Sequence, residues 1–239
     1  MRTFFAFFCG LLVAALPAAV LAADYIETPS LEDQVKQGKL PAIAERLPQN
    51  PRMIDVTASG GEPGRHGGAI RMLMGKQKDI RMMTVYRYAR FVVFDRDYKL
   101  VPDILESFEN ENNRVYTFNL RKGHKWSDGH PFTSEDIRYV WEDVMNDPDL
   151  GGGGLPSQLV VNGKGPKFEV LNETSVRFSW EDPNPEFLLA LAAPRPIFLA
   201  LPAHYMKQFH KKYQTEDKLK ELAAETGAKN WRGLHIRQG

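Results

Sequence analysis

Four residues with reactive side chains crowd one turn of this chain, His124, Ser127, Asp128 and His130 in the run HKWSDGH. Serine, histidine and aspartate are the residue types of nucleophilic hydrolysis, where a base takes the hydroxyl proton and an acid orients the base. That chemistry needs the three groups to converge from separate elements. Neighbours in a tight turn do not converge, and no G-x-S-x-G elbow is present. The turn offers Asp128 a simpler task, which is to accept hydrogen bonds from its own backbone. The six histidines, His66, His124, His130, His204, His210 and His235, show no H-E-x-x-H spacing. His204 and His210 are six apart and fall on different faces of a helix, so no metal site is expected. Gly60-Gly61 and Gly67-Gly68 lack the Lys-Ser/Thr or GxGxxG context of a phosphate cradle. Glu135-Asp136 and Glu142-Asp143 suit the polar face and N-terminus of a helix. The residues thus predict no catalytic group, metal or cofactor.

The turn is delivered by regular elements. Val115 to Leu120 alternates, with Tyr116, Phe118 and Leu120 on one side and Val115, Thr117 and Asn119 on the other, the period of a half-buried strand. Lys122-Gly123 and Ser127-Asp128-Gly129 are turn chemistry. Thr133 with Asp136 fits a capping box. Ile137, Val140, Trp141, Val144 and Met145 then fall at i, i+3, i+4, i+7 and i+8, one apolar helical face, which Asn146-Asp147-Pro148 ends. Trp141 belongs to that face. Tyr139, two residues earlier, stands roughly 200° round the helix and need not share it.

The first 22 residues read as a cleavable export signal: Arg2, an apolar run from Phe4 to Leu16, Pro17, then Val20-Leu21-Ala22 before the cleavage point. Cys9, the single cysteine, lies inside that run behind Phe8, which makes it an apolar filler rather than a lipid attachment site. No disulfide or thiol chemistry is expected beyond it. The chain carries 31 Lys+Arg and 30 Asp+Glu, and Arg2 is the only charged residue before Ala23, so the remainder is formally neutral. A neutral balance gives no electrostatic footprint for nucleic acid.

Along the rest of the chain, Ser30 to Asp33 predicts a capped short helix ended by Gly38. Leu47 to Gly68, rich in Pro, Gly and charge, reads as a loop or wrapping arm. Ala69 to Met74 reads as a buried strand. Met82 to Phe94 is ambiguous between helix and strand, with a strand at Phe91 to Phe94. Phe168 to Trp180 predicts a hairpin turning at Asn172-Glu173-Thr174. Gly151 to Gly154 reads as a flexible tract. Phe187 to Ala193 predicts a short helix, Ile197 to Leu201 a strand, and Ala203 to Lys211 a helix. Glu216 to Thr226 predicts another helix, capped by Thr215 and closed by Gly227. Leu234 to Gly239 offers neither strand nor helix.

The run YTFNLRKGHKWSDGHPFTSEDIRY, from Tyr116 to Tyr139, resembles the signature of the extracellular solute-binding proteins of family 5, the peptide, nickel and oligosaccharide receptors of ABC importers. LVPDILESF (Leu100 to Phe108) upstream and LPAHYMKQFH (Leu201 to His210) downstream are similar to the same family, in the expected order. The resemblance implies an α/β fold of periplasmic-binding-protein type (type II, cluster C). The chain would form its first lobe with a β-rich subdomain, and the second lobe would be missing. The implied division is 1–22 signal, 23–75 arm and start of the lobe base, 76–195 β-rich subdomain, and 196–239 an incomplete return to the base. It also implies a periplasmic, monomeric receptor for a peptide or other small polar solute, delivering to ABC permease subunits of the inner membrane. The family places a cleft-facing tyrosine at the position of Tyr139 and a cleft loop at Tyr86, Arg87 and Tyr88, making these four the expected solute contacts. Relatives run to more than twice this length, so a truncated product carrying half a site is a further expectation. The alternatives are a non-binding fragment and an exported hydrolase.

Overall fold

The computed structural model describes residues 25–58, 60–83 and 89–239. The expected export signal with Cys9, and the loop carrying Tyr86, Arg87 and Tyr88, lie outside the described residues.

The chain is organised around four antiparallel strands in the order β3-β4-β6-β5. They are β3 (Leu105–Glu111), β4 (Val115–Leu120), β5 (Lys167–Asn172) and β6 (Ser175–Ser179). A separate hairpin, β1 (Val92–Phe94) with β2 (Leu100–Pro102), precedes them. In the sheet, Phe108 pairs with Phe118, which faces Val176 on the other side, and Tyr116 pairs with Phe178, which faces Phe168. Directly opposed residues share a face, so one side of the sheet is aromatic and aliphatic. Phe178 is fully buried, with ring centroids of Phe168 at 4.9 Å, Phe187 at 5.4 Å and Trp141 at 5.8 Å. The other side carries a polar ladder. The Ser175 hydroxyl donates to Asn119 Oδ1 at 2.7 Å, and Asn119 Nδ2 donates to Ser107 Oγ at 3.0 Å. The strand read at 115–120 and the hairpin at 168–180 are therefore both formed.

Helices cover the apolar face. After α1 (Glu32–Lys36) and α2 (Ile43–Arg46) come α3 (Ser134–Arg138), α4 (Glu186–Ala192), α5 (Ala203–Met206), α6 (Glu216–Thr226) and α7 (Trp231–Gln238). Ile137, Trp141 and Met145 pack on the sheet beside Phe187, Leu191 and Leu199. The expected cap of α6 is present: the Thr215 side chain accepts from Lys218, and Gly227 closes the helix in the left-handed region at φ 66°.

Several expectations are corrected. The helix after Thr133 does not run on as α-helix, because residues Tyr139–Met145 form a π-helix. The wider turn lets one short segment serve two cores: Ile137 and Trp141 face the sheet, while Tyr139, Val140 and Val144 face Ala203, Met206 and Leu201. Ala69 to Met74 forms no strand and is exposed, with Leu73 fully so, since no strand among the described residues lies alongside to pair it. Ile197 to Leu201 is likewise not a strand. It is held by single bonds, Ile197 N–H to Ala190 and Leu201 N–H to Asp136. The capping box at Ser30 does not form, and α1 begins after Leu31 without a side-chain cap. The last residues, by contrast, are helical in α7, because Asn230 caps Gly233 and Leu234 and His235 are buried. Among the described residues no helix is long and apolar enough to cross a membrane.

Candidate functional site

The Asp128 turn forms as its residue types dictate. Asp128 Oδ1 accepts from the His130 N–H at 3.0 Å, and Gly129 sits at φ 88°, where a side chain would be strained. The short bridge Lys125↔Pro131 puts His124, Trp126, His130 and Phe132 on one face, with Phe132 meeting the rings of His124 at 5.4 Å and Trp126 at 5.2 Å. The structure adds a partner that spacing did not suggest. His204, at the start of α5, places Nε2 at 2.7 Å from Asp128 Oδ2 and stacks on His130 at 3.7 Å with rings 8° apart. The neighbouring imidazole draws down the Asp128 carboxyl pKa, helped by the His130 N–H.

An aspartate orienting a histidine is two-thirds of a hydrolytic triad. The third part would have to sit on the other imidazole nitrogen, but His204 Nδ1 is buried with no hydrogen-bond partner among the described residues. No group of three or more potential metal ligands occurs among the described residues either. The turn is scaffold: it ties the entry of α3 to α5.

Beside it, the capping box of α3 reaches further than a cap. Thr133 accepts from the Glu135 N–H, and Asp136 Oδ2 accepts from the Thr133 N–H at 2.8 Å. Asp136 Oδ1 accepts from the Ala203 N–H, also at 2.8 Å, so one buried carboxylate bonds both α3 and α5. An ion-pair network continues along the same edge. Arg138 bridges Glu135, Glu142 and Asp143, and Lys207 adds to Glu135. The Arg138 bonds, with help from Lys207 and against the cost of burial, hold the Glu135 carboxyl at about 2. Burial alone would raise the Asp143 carboxyl, but bonds from Lys212, Tyr213 and Arg138 outweigh it and the net direction is down. These contacts fasten the segment after Pro202 to the π-helix.

Tyr139 belongs to this fastening. It is fully buried, and its hydroxyl lies 2.8 Å from His235 Nε2 on α7. Burial pushes its hydroxyl pKa well up. Tyr139 does not share the face of Trp141, as expected, but it is buried all the same. The side opposite the sheet is itself covered by α5 and α7, which leaves the ring no surface on which to meet a solute. Tyr86, Arg87 and Tyr88 fall outside the described residues. A groove lies elsewhere, on α6 and α7. It measures about 670 Å³ and is lined by Leu219, Ala223 and Trp231 together with Lys211, Lys220 and Lys229.

The four-stranded antiparallel sheet packed under helices defines the class: an α/β lobe of periplasmic-binding-protein type. The profile of the "Bacterial extracellular solute-binding proteins, family 5 Middle" matches residues 99–229, more than half of the chain, and the chain belongs to that family. It is 28% identical to the periplasmic alpha-galactoside-binding protein of Rhizobium meliloti over 204 residues, 76% of this chain and 29% of that protein. It is 45% identical to the periplasmic oligopeptide-binding protein OppA of Escherichia coli over 51 residues, 21% of this chain and 9% of that one. Among solved structures, an oligopeptide-binding protein OppA superposes with a TM-score of 0.77 at 33% identity, over 89% of this chain and 32% of that chain. The binding protein MelB of Agrobacterium fabrum, solved with stachyose, gives 0.57 at 26% identity, over 83% of this chain and 33% of that chain. The chain thus spans about a third of the length of the relatives it matches along most of its own.

Proposed function

We propose that this chain is the first-lobe part of a solute receptor of an ABC importer, working in the periplasm after export and supplying one wall of the solute site. The observation that carries this reading is the superposition on an oligopeptide-binding protein along 89% of the chain at 33% identity. In this reading Tyr86, Arg87 and Tyr88 meet the solute, and Tyr139 positions the wall from behind rather than touching it. The domain division at residues 23–75, 76–195 and 196–239 belongs to the same proposal. A peptide leads as solute, and the permease subunits are the proposed partners. An α-galactoside is the second reading, favoured by the 204-residue match to an alpha-galactoside-binding protein.

A single wall binds weakly, because only part of the solute surface is buried and the cost of association stays nearly whole. Thermal unfolding with millimolar short peptides, and separately with stachyose, tests the reading. A rise in Tm with peptide and no turnover is expected. Turnover of the added solute, or no rise with either class, would refute a receptor role. Calorimetry of the chain alone giving micromolar affinity would refute the one-wall part of it.

A further inference from the structure

Helix α7 sends two residues into the interior. Of its eight, only Leu234 and His235 are buried. Leu234 joins Phe209, Leu219 and Ala223 in a small apolar cluster. His235 instead enters under the π-helix, where its Nε2 meets the Tyr139 hydroxyl. A second buried imidazole lies beside it: the His210 ring stands edge-on at 5.6 Å. His210 Nε2 lies 2.8 Å from the Asp143 carbonyl oxygen, and its Nδ1 accepts from the Lys212 N–H at 3.1 Å. An acceptor on one side and a donor on the other fit only the neutral ring with its proton on Nε2.

The surroundings offer a third proton no home. From the π-helix come Tyr139 and Asp143. The Asp143 carboxylate is already taken by Arg138, Lys212 and Tyr213. Asp147 lies beyond the helix end and favours the charged His235 only weakly. Tyr213 and Trp231 stand against His210 with their rings, at 5.8 and 5.2 Å. Met206 of α5 and Leu219 and Ala223 of α6 are apolar. A cation formed here would face a phenol, a carbonyl and another imidazole, with no free carboxylate among them.

We propose that the buried His235–Tyr139 pair is an acid-released latch: a proton on the imidazole frees α7, with α6, from the π-helix while the four-stranded sheet stays folded. Besides this pair and Leu234, α7 is held by Trp231, which packs on the same small cluster and against His210. Tyr205 bonds Gln238, while Arg237 bonds Thr226 of α6 and Leu234 packs on Leu219 and Ala223, so α6 and α7 leave together. The sheet and its aromatic cover contain neither histidine and have no part in the release. Burial, with the His210 ring adding to it, holds the His235 imidazole down at about 4, against 6.5 for a free one. The undocked form is therefore the one that takes the proton as pH falls below about 6.5.

Hydrogen exchange read by mass spectrometry on the full chain tests the latch, after correction for the intrinsic pH dependence of exchange. Between about pH 6.5 and 4 the opening constant of α7 should rise about tenfold per pH unit. Amides of β4 and β6 should keep their protection. His235→Gln keeps a polar atom near the position of Nε2 and removes the charge, and it should abolish the slope. Should that variant not fold, Tyr139→Phe serves: α7 should open more readily at neutral pH with its acid slope intact. Loss of α7 and β4 protection together, a slope that persists in His235→Gln, or unchanged α7 protection in Tyr139→Phe would each overturn the proposal.

Discussion

Replacing Asp136 by alanine should cost more than any other single change in the capping region. Its carboxylate is 2% exposed and accepts two backbone N–H groups at 2.8 Å, those of Thr133 and Ala203. A hydrogen bond to a charged group contributes about 1.5–3 kcal/mol, and a buried donor left unpaired loses its hydration as well. The Ala203 N–H is buried and finds no water, whereas the Thr133 N–H is only part-buried and recovers some. The expected loss for Asp136→Ala is therefore about 3–5 kcal/mol, a large share of the stability of an ordinary domain. Asparagine separates the two bonds: its oxygen can still serve Ala203, but its NH₂ then confronts the Thr133 N–H. About 1.5–3 kcal/mol should be lost. Thr133→Ala removes only a 3.3 Å bond from Glu135 and should cost about 0.5–1 kcal/mol. Urea unfolding gives the order directly, through midpoints at unchanged slope. Should Asp136→Ala lie within about 1 kcal/mol of the parent, or Thr133→Ala cost as much, the idea that one carboxylate joins α3 to α5 fails.

Phe178→Ala empties the centre of the aromatic cluster and should lose about 3–5 kcal/mol by thermal or urea unfolding, while Phe178→Leu loses less. Gly151→Ala drives a Cβ into the Met145 carbonyl oxygen, so the 147–154 loop must move and the melting temperature fall. A melting temperature equal to the parent's would refute this close approach. Glu135 is held at about 2 against 4.5 when free, so its contribution is whole above pH 4.5 and fades as pH falls towards 2. Glu135→Gln should flatten that part of the stability–pH profile. The effect is modest because the Glu135 side chain is 42% exposed and water screens the pair.

The legible parts of the fold were those whose cause is local. Alternation at Tyr116, Phe118 and Leu120 marks a strand because side chains on a pleat alternate faces, and those three are buried. The hairpin at residues 168–180, the caps at Thr133 and Thr215, and the Gly227 stop follow from residue chemistry within a few positions. Ala69 to Met74 misled because apolar content reports a readiness to pair, while pairing itself needs a neighbour. α7 was missed because its apolar periodicity is weak: one leucine and one histidine are its buried residues, and Asn230 alone marks its start.

The site was legible in kind but not in wiring. The run from Tyr116 to Tyr139 was enough to identify the family, and it argued correctly that Asp128 serves its own turn. Tyr139 does stand off the face of Trp141, but helical angles say only which side a residue takes. They do not say whether that side is solvent, and they assume 3.6 residues per turn where the chain forms a π-helix. By itself, then, the sequence determined the family, the strand–turn–capped helix at its centre and the aromatic side of the sheet, all fixed by short-range sterics and hydrogen bonding. Only the tertiary structure decided that Asp128 meets His204, Asp136 meets Ala203 and Tyr139 meets His235. Those partners are 67 to 96 residues apart, and they are chosen by how the helices close over the sheet, not by any local preference.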